Sequence, residues 1–287
     1  MGKIIDFNCT FDDGGGVPES VMKKYNLKFP DAYKTCEFMV SIAKGIREEK
    51  GVEYSLIPFC HTVEGEAMGG DINLGNEIAG PRAKTYAFDN IDDLSNLQDI
   101  DFSKGRIGET LKAVKILAED GENPILMLNG PFTILNALID PKYVFKAMRK
   151  TPEKMDKIFN YLKRNLSSYI EEGKKAGVRL FSYADSTGGV NILGPKMAED
   201  VARNFTYLFL KGLDIGDGNS LLLCPKTSFA LIGTGLAKWG EIDLGEEMTY
   251  GEACIKHVGE YKFAGEMCIK NTNYVLKSGK LKELILL

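Results

Sequence analysis

Three side chains far apart in the chain carry the donor chemistry of a zinc site. Cys224 closes the apolar run Leu221-Leu222-Leu223, Cys268 closes the run from Phe263 to Met267, and Asp185 ends the run Leu180 to Ala184, ahead of Gly188-Gly189. If each run is a strand of one barrel, a carboxylate and two thiolates stand on the same rim. Three protein ligands with an open fourth position are what zinc needs to act as a Lewis acid. Each residue has a plainer use as well. Cysteine packs as a small hydrophobe, and an aspartate near glycine can cap its own turn. Cys9, Cys36 and Cys254 are assigned to packing, the last two because they fall within helical patterns. Cys60 and His61 follow Phe59 at a strand end and are candidates for the rim, whereas His257 falls in a helix.

Positioning such a rim requires alternating strands and helices. The spacing predicts helices from Pro18, over 31–50, over 105–119 through Ile107, Leu111, Val114 and Leu117, and from Pro152 to a stop at Gly177. Met155, Ile158, Phe159, Leu162, Leu166 and Ile170 form the apolar face of the last of these, with Thr151 as its N-cap. Strands are expected over 52–59, 124–128, 178–185, up to Cys224 and over 261–268. A further helix carries Met197, Val201, Phe205 and Leu208, and another spans 250–258. Strands separated by helices of this length imply parallel units with right-handed crossovers, and a closed version carries its chemistry at the carboxyl ends of the strands.

With 287 residues and 44% hydrophobic content, the chain suits one α/β domain over 1–287, its first 50 or so residues forming a helical segment packed on a barrel. A net charge of -4 without a basic cluster argues against nucleic acid. No apolar stretch reaches membrane-spanning length, and the N-terminus lacks the apolar segment of a signal peptide, so a cytoplasmic protein with reduced cysteines is expected. Assembly as a homodimer is left open.

The stretch Ile57-Pro58-Phe59-Cys60-His61-Thr62-Val63-Glu64-Gly65-Glu66-Ala67-Met68-Gly69-Gly70 resembles a motif of the uroporphyrinogen decarboxylase superfamily. Asn129-Gly130-Pro131-Phe132-Thr133, the helix after Thr151, Ala176-Gly177 leading to Asp185, Cys224-Pro225-Lys226-Thr227 and Gly265-Glu266-Met267 follow in the same order, over roughly residues 50–280. The resemblance implies a (β/α)8 TIM barrel, here with an atypical or shortened last unit.

Residue types separate the chemistries of that superfamily. A decarboxylase acting on a polycarboxylate needs converging arginines, yet none precedes Arg47. The other branch comprises zinc-dependent methyltransferases that work with corrinoid proteins. Thiol-methylating members carry a histidine two residues before the first cysteine, where this chain has Leu222. The order Asp185, Cys224, Cys268, with gaps of 38 and 43 residues, is most similar to the O-demethylase type, which moves a methyl group from an aryl methyl ether to the cobalamin of a partner corrinoid protein.

The resemblance therefore implies zinc on Asp185, Cys224 and Cys268, with Glu266 as a substitute ligand beside Asp185 in the catalytic set. Phe59, His61, Met127, Asn129 and Tyr183 are candidates to hold an aromatic substrate. Zinc on the ether oxygen would stabilise the departing phenolate. Rival readings are another methyl donor or acceptor (methylamine, methanol, a thiol), a decarboxylase-like enzyme, and a metal-free paralogue that only binds a corrinoid protein.

Overall fold

The computed structural model describes residues 4–7, 9 and 16–287. Its strands in chain order are β1 (Ser55–Ile57), β2 (Asp71–Asn73), β3 (Arg82–Thr85), β4 (Pro124–Asn129), β5 (Leu180–Ala184), β6 (Ser220–Leu223), β7 (Ala237–Asp243), β8 (Phe263–Ala264) and β9 (Lys280–Leu286). One sheet has the order β1-β4-β5-β6-β8-β9-β7, and β2 pairs with β3 as a separate antiparallel arm. From β1 to β8 every pairing is parallel. Helices Gly105–Glu119 and Pro152–Lys175 precede β4 and β5, and a helical segment over 190–212 precedes β6. This is the TIM-barrel architecture, modified at its end. In place of a regular last unit, β9 runs antiparallel to both β8 and β7.

Side-chain alternation sorts the strands into two layers. Ile125, Leu180, Leu222, Ala264 and Leu281 face one apolar cluster inside the curved sheet, together with Tyr54, Tyr250 and Tyr261. Their neighbours Leu126, Leu128, Phe181, Tyr183 and Leu221 face the surrounding helices. β4 is buried at every position because both of its faces are covered. Val17, Val21, Ala32, Tyr33 and Ile42 form a smaller cluster of their own around helices Glu19–Tyr25 and Cys36–Lys50.

The expected helices over 105–119 and from Pro152 match the structure, the second ending at Lys175. The expected helix over 31–50 divides into a 3-10 turn at Asp31–Tyr33 and the helix Cys36–Lys50. The expected strand over 261–268 shrinks to Phe263–Ala264. At Gly265 the chain presses against the end of β6, where a Cβ would stand 2.2 Å from Ser228 Oγ and 2.7 Å from the Leu223 carbonyl oxygen. The residues after it form turns, so Cys268 comes from a turn rather than a strand. No helix among the described residues is long and apolar enough to cross a membrane.

Candidate active site

Two hollows lie side by side at the carboxyl ends of the parallel strands. The smaller, about 190 Å³, takes its walls from Met127, Ser182, Leu222, Cys224, Cys268 and Ile269 among others, and Cys9 and Lys270 also border it. The larger, about 340 Å³, lies between the segment Phe59–Thr62, the loop ahead of β3 and the turn after β5. His61 and Ser186 line both.

Cys224 is delivered by β6 and then caps the helix Pro225–Gly233. Its N–H donates to the Tyr183 carbonyl at 2.8 Å, continuing the ladder, and its own carbonyl accepts from Thr227 at 2.8 Å. Proline at the first helical position costs no hydrogen bond, so the helix starts directly behind the cysteine. Burial pushes the Cys224 thiol up to about 11, with a smaller downward pull from the Lys226 backbone N–H and a further rise from the neighbouring Cys268 and Cys9 sulfurs. Cys268 reaches the same hollow from the turn after β8. Cys9, assigned above to packing, also borders it and is exposed.

His61 is held by a buried polar chain. Glu64, 1% exposed, accepts from the Asn129 backbone N–H at 2.8 Å and from Asn129 Nδ2 at 2.6 Å. Asn129 Oδ1 is thereby left for His61 Nδ1, 2.7 Å away. Burial raises the Glu64 carboxyl, against the downward pull of the Asn129 hydrogen bonds. Arg106, itself buried, fastens the same segment from below: it donates to Thr62 Oγ1 at 2.8 Å, to Cys60 Sγ at 3.6 Å and to Glu66.

Asp185 is turned elsewhere. Its Oδ1 accepts from the Thr133 N–H at 2.8 Å and from Thr133 Oγ1 at 2.9 Å, while Oδ2 accepts from the Phe132 N–H at 3.2 Å. The carboxylate thus satisfies the otherwise orphaned donors that open the helix Pro131–Asn136. Strand parity explains this. Ser182, Ala184 and Ser186 border the small hollow, so Tyr183 and Asp185 point the opposite way. Tyr183 is fully buried against Phe209, with ring centroids 5.7 Å apart. Burial pushes Asp185 up to about 6, opposed by its bonds from Thr133 and Phe132.

Glu266 is also committed outside the hollow, accepting from the Lys282 backbone N–H at 3.0 Å on β9. Of the expected substrate residues, Phe59 borders the larger hollow, Met127 the smaller and His61 both, while Asn129 stands behind His61. Glu64, Arg106, Ser182 and Ser186 were not singled out from the sequence. The alternation Leu180, Ser182, Ala184 was the available signal for the two serines.

Among the described residues, the ligand atoms that converge within 4.8 Å belong to Cys36, Glu37 and Glu109, away from the hollows. There Glu109 accepts from the Cys36 N–H at 2.9 Å and pairs with Lys112 at 2.6 Å, serving the start of the helix Cys36–Lys50. The sulfurs and imidazole of the small hollow are spread more widely than that.

Residues 13–225 match the family model described as uroporphyrinogen decarboxylase (URO-D). The methylcobamide:CoM methyltransferase MtaA of Methanosarcina barkeri is 26% identical over 215 residues, which are 74% of this chain and 62% of that protein. The methylcobamide:CoM methyltransferase MtbA of Methanosarcina acetivorans is 24% identical over 73% of this chain and 63% of its own length. The chain thus spans somewhat less than two thirds of these relatives. A solved methyltransferase from Methanosarcina mazei, 22% identical, superposes with a TM-score of 0.63 over 74% of this chain and 63% of the other, and shares its fold.

Proposed function

Because the chain belongs to the uroporphyrinogen decarboxylase (URO-D) family, we propose that its small hollow is the seat of corrinoid-dependent methyl transfer, with Cys224 and Cys268 anchoring a zinc ion. The observation that carries this reading is the arrival of two thiols from separate elements in one cavity at the carboxyl ends of parallel strands. Thiol donors with an imidazole nearby suit zinc better than magnesium or calcium. A thiol held near 11 stays protonated at neutral pH, and a cation in the hollow is the agent that would ionise it.

Zinc at this place would supply the positive charge that lowers the pKa of a bound thiol or polarises an ether oxygen. A corrinoid carried by a partner protein would hold the methyl group. The chain's own residues do the positioning. Leu222, Met127 and Ile269 give the hollow apolar walls, and Lys270 at its border suits a small anionic molecule. Asp185 holds Phe132 and Thr133 in place behind the rim.

A small thiol is the favoured methyl acceptor, on the size of the hollow and on the CoM named for both relatives. An aryl methyl ether as donor is the second version. It rested on the order Asp185, Cys224, Cys268, and the Asp185 oxygens are engaged by Thr133 and Phe132. No arginine borders the small hollow among the described residues, so decarboxylation of a polycarboxylate is not proposed.

The test combines metal analysis with turnover. Purified protein should hold about one equivalent of zinc and demethylate methylcobamide with a small thiol, and Cys224→Ala or Cys268→Ala should lose both zinc and turnover. Retained turnover in those variants would remove the zinc site. Turnover with an aryl methyl ether but not with thiols would select the second version, and no zinc with no turnover would favour a metal-free binding protein.

A further inference from the structure

We infer that His61 Nε2 is the nitrogen donor that completes the metal site with Cys224 and Cys268. This rests on the zinc reading above and adds the ligand that Asp185, turned toward Thr133, is not placed to give.

Hydrogen-bond direction fixes which nitrogen of His61 carries a proton. Glu64 accepts two hydrogen bonds from Asn129, one from the backbone N–H and one from Nδ2. With its amino group used in that way, Asn129 presents its oxygen to His61, an acceptor only. His61 Nδ1 must therefore carry the proton of that 2.7 Å bond, which makes Nε2 the nitrogen whose lone pair a metal would take. This is the arrangement of a metal-ligating histidine, whose second nitrogen donates to an oxygen that fixes ring orientation and tautomer.

Placement agrees. His61 borders the same hollow as Cys224 and Cys268. On β6 the position two residues before Cys224 faces that hollow too, and it holds Leu222, which offers no donor. His61 reaches the hollow from the segment after β1. Cys9 is the other candidate third donor at the hollow, but it is exposed, whereas His61 is braced by Asn129, Glu64 and the Arg106 network that holds Thr62. The donors do not yet meet within 4.8 Å. Binding therefore has to draw His61, Cys224 and Cys268 together from their positions in the metal-free chain.

The test uses the full chain loaded with zinc or with cobalt(II). Zinc X-ray absorption should show two sulfurs at about 2.3 Å and a nitrogen at about 2.0–2.1 Å from the metal. His61→Ala should weaken zinc binding at least tenfold and shift the cobalt(II) ligand-field bands. His61→Gly should recover the wild-type bands when imidazole is added, a response that a merely destabilised variant would not give. A shell of three sulfurs without nitrogen, or unchanged affinity and bands in His61→Ala, would overturn the assignment. If Cys224→Ala loses zinc while His61→Ala keeps it, the zinc reading stands and His61 falls. A wild-type protein that binds no zinc removes both.

Discussion

Glu64 takes both N–H groups that Asn129 turns toward it, at 2.8 and 2.6 Å, and so dictates which atom Asn129 shows to His61. In metal-free protein, nitrogen NMR should find a proton on His61 Nδ1, hydrogen-bonded to Asn129 Oδ1. Glu64→Gln places an amide where two donors need acceptors, and a buried unsatisfied donor costs about 1–3 kcal/mol. Urea unfolding should show a loss of that size. The His61 spectrum should shift toward the Nε2-protonated form as the Asn129 amide turns over. An unchanged spectrum would mean that Asn129 is held by something else.

Gly130 precedes the helix that Asp185 caps, and its backbone is ordinary, so the demand there is for space. A Cβ at Gly130 would lie 2.3 Å from Asp185 Cβ and 2.8 Å from the Tyr183 hydroxyl. Gly130→Ala should destabilise the protein by about 1–3 kcal/mol through overpacking. The melting temperature should fall accordingly, and an unchanged value would show that β5 can yield.

Asp185 gives a pH signature of defined sign. Its native carboxyl is raised to about 6 from an ordinary 3.8, so the folded state holds the proton more tightly than the unfolded chain. Its contribution to stability is full below about pH 4 and is lost as pH rises toward 6, by up to about 3 kcal/mol. Asp185→Asn should flatten that part of the stability profile, measured by denaturant unfolding between pH 4 and 7. A steeper profile in the variant would reverse the assignment.

Cys224, held near 11, should be slow to alkylate in metal-free protein at pH 7. Its rate should climb about tenfold per pH unit through the alkaline range, followed by mass spectrometry of the modified peptide. A plateau by pH 8 would reveal a cation beside the sulfur that the metal-free protein should lack.

Helical spacing made the frame legible. The runs through Ile107 and Val114 and through Ile158 and Leu166 each cover one face of a real helix, since one period governs both burial and sequence. Strand ends were legible in the same way, and Cys224 does stand behind β6 facing a cavity. Direction was the harder part. One residue of phase decides which face of a strand a side chain takes, and Asp185 is out of phase with Ser182 and Ala184. The apolar run up to Met267 predicts a strand through Cys268, but the strand ends at Ala264 because the chain leaves the sheet at Gly265. Cys9 lies in a stretch whose local pattern carries no tertiary information, and β7 and β9 pair only because distant segments meet.

His61 and Ser186 are a partition common to two chambers of different size. Whatever fills the roomier chamber alters one wall of the tighter one. One imidazole and one serine hydroxyl thus belong to both spaces, and a substitution at either position is felt on the two sides at once.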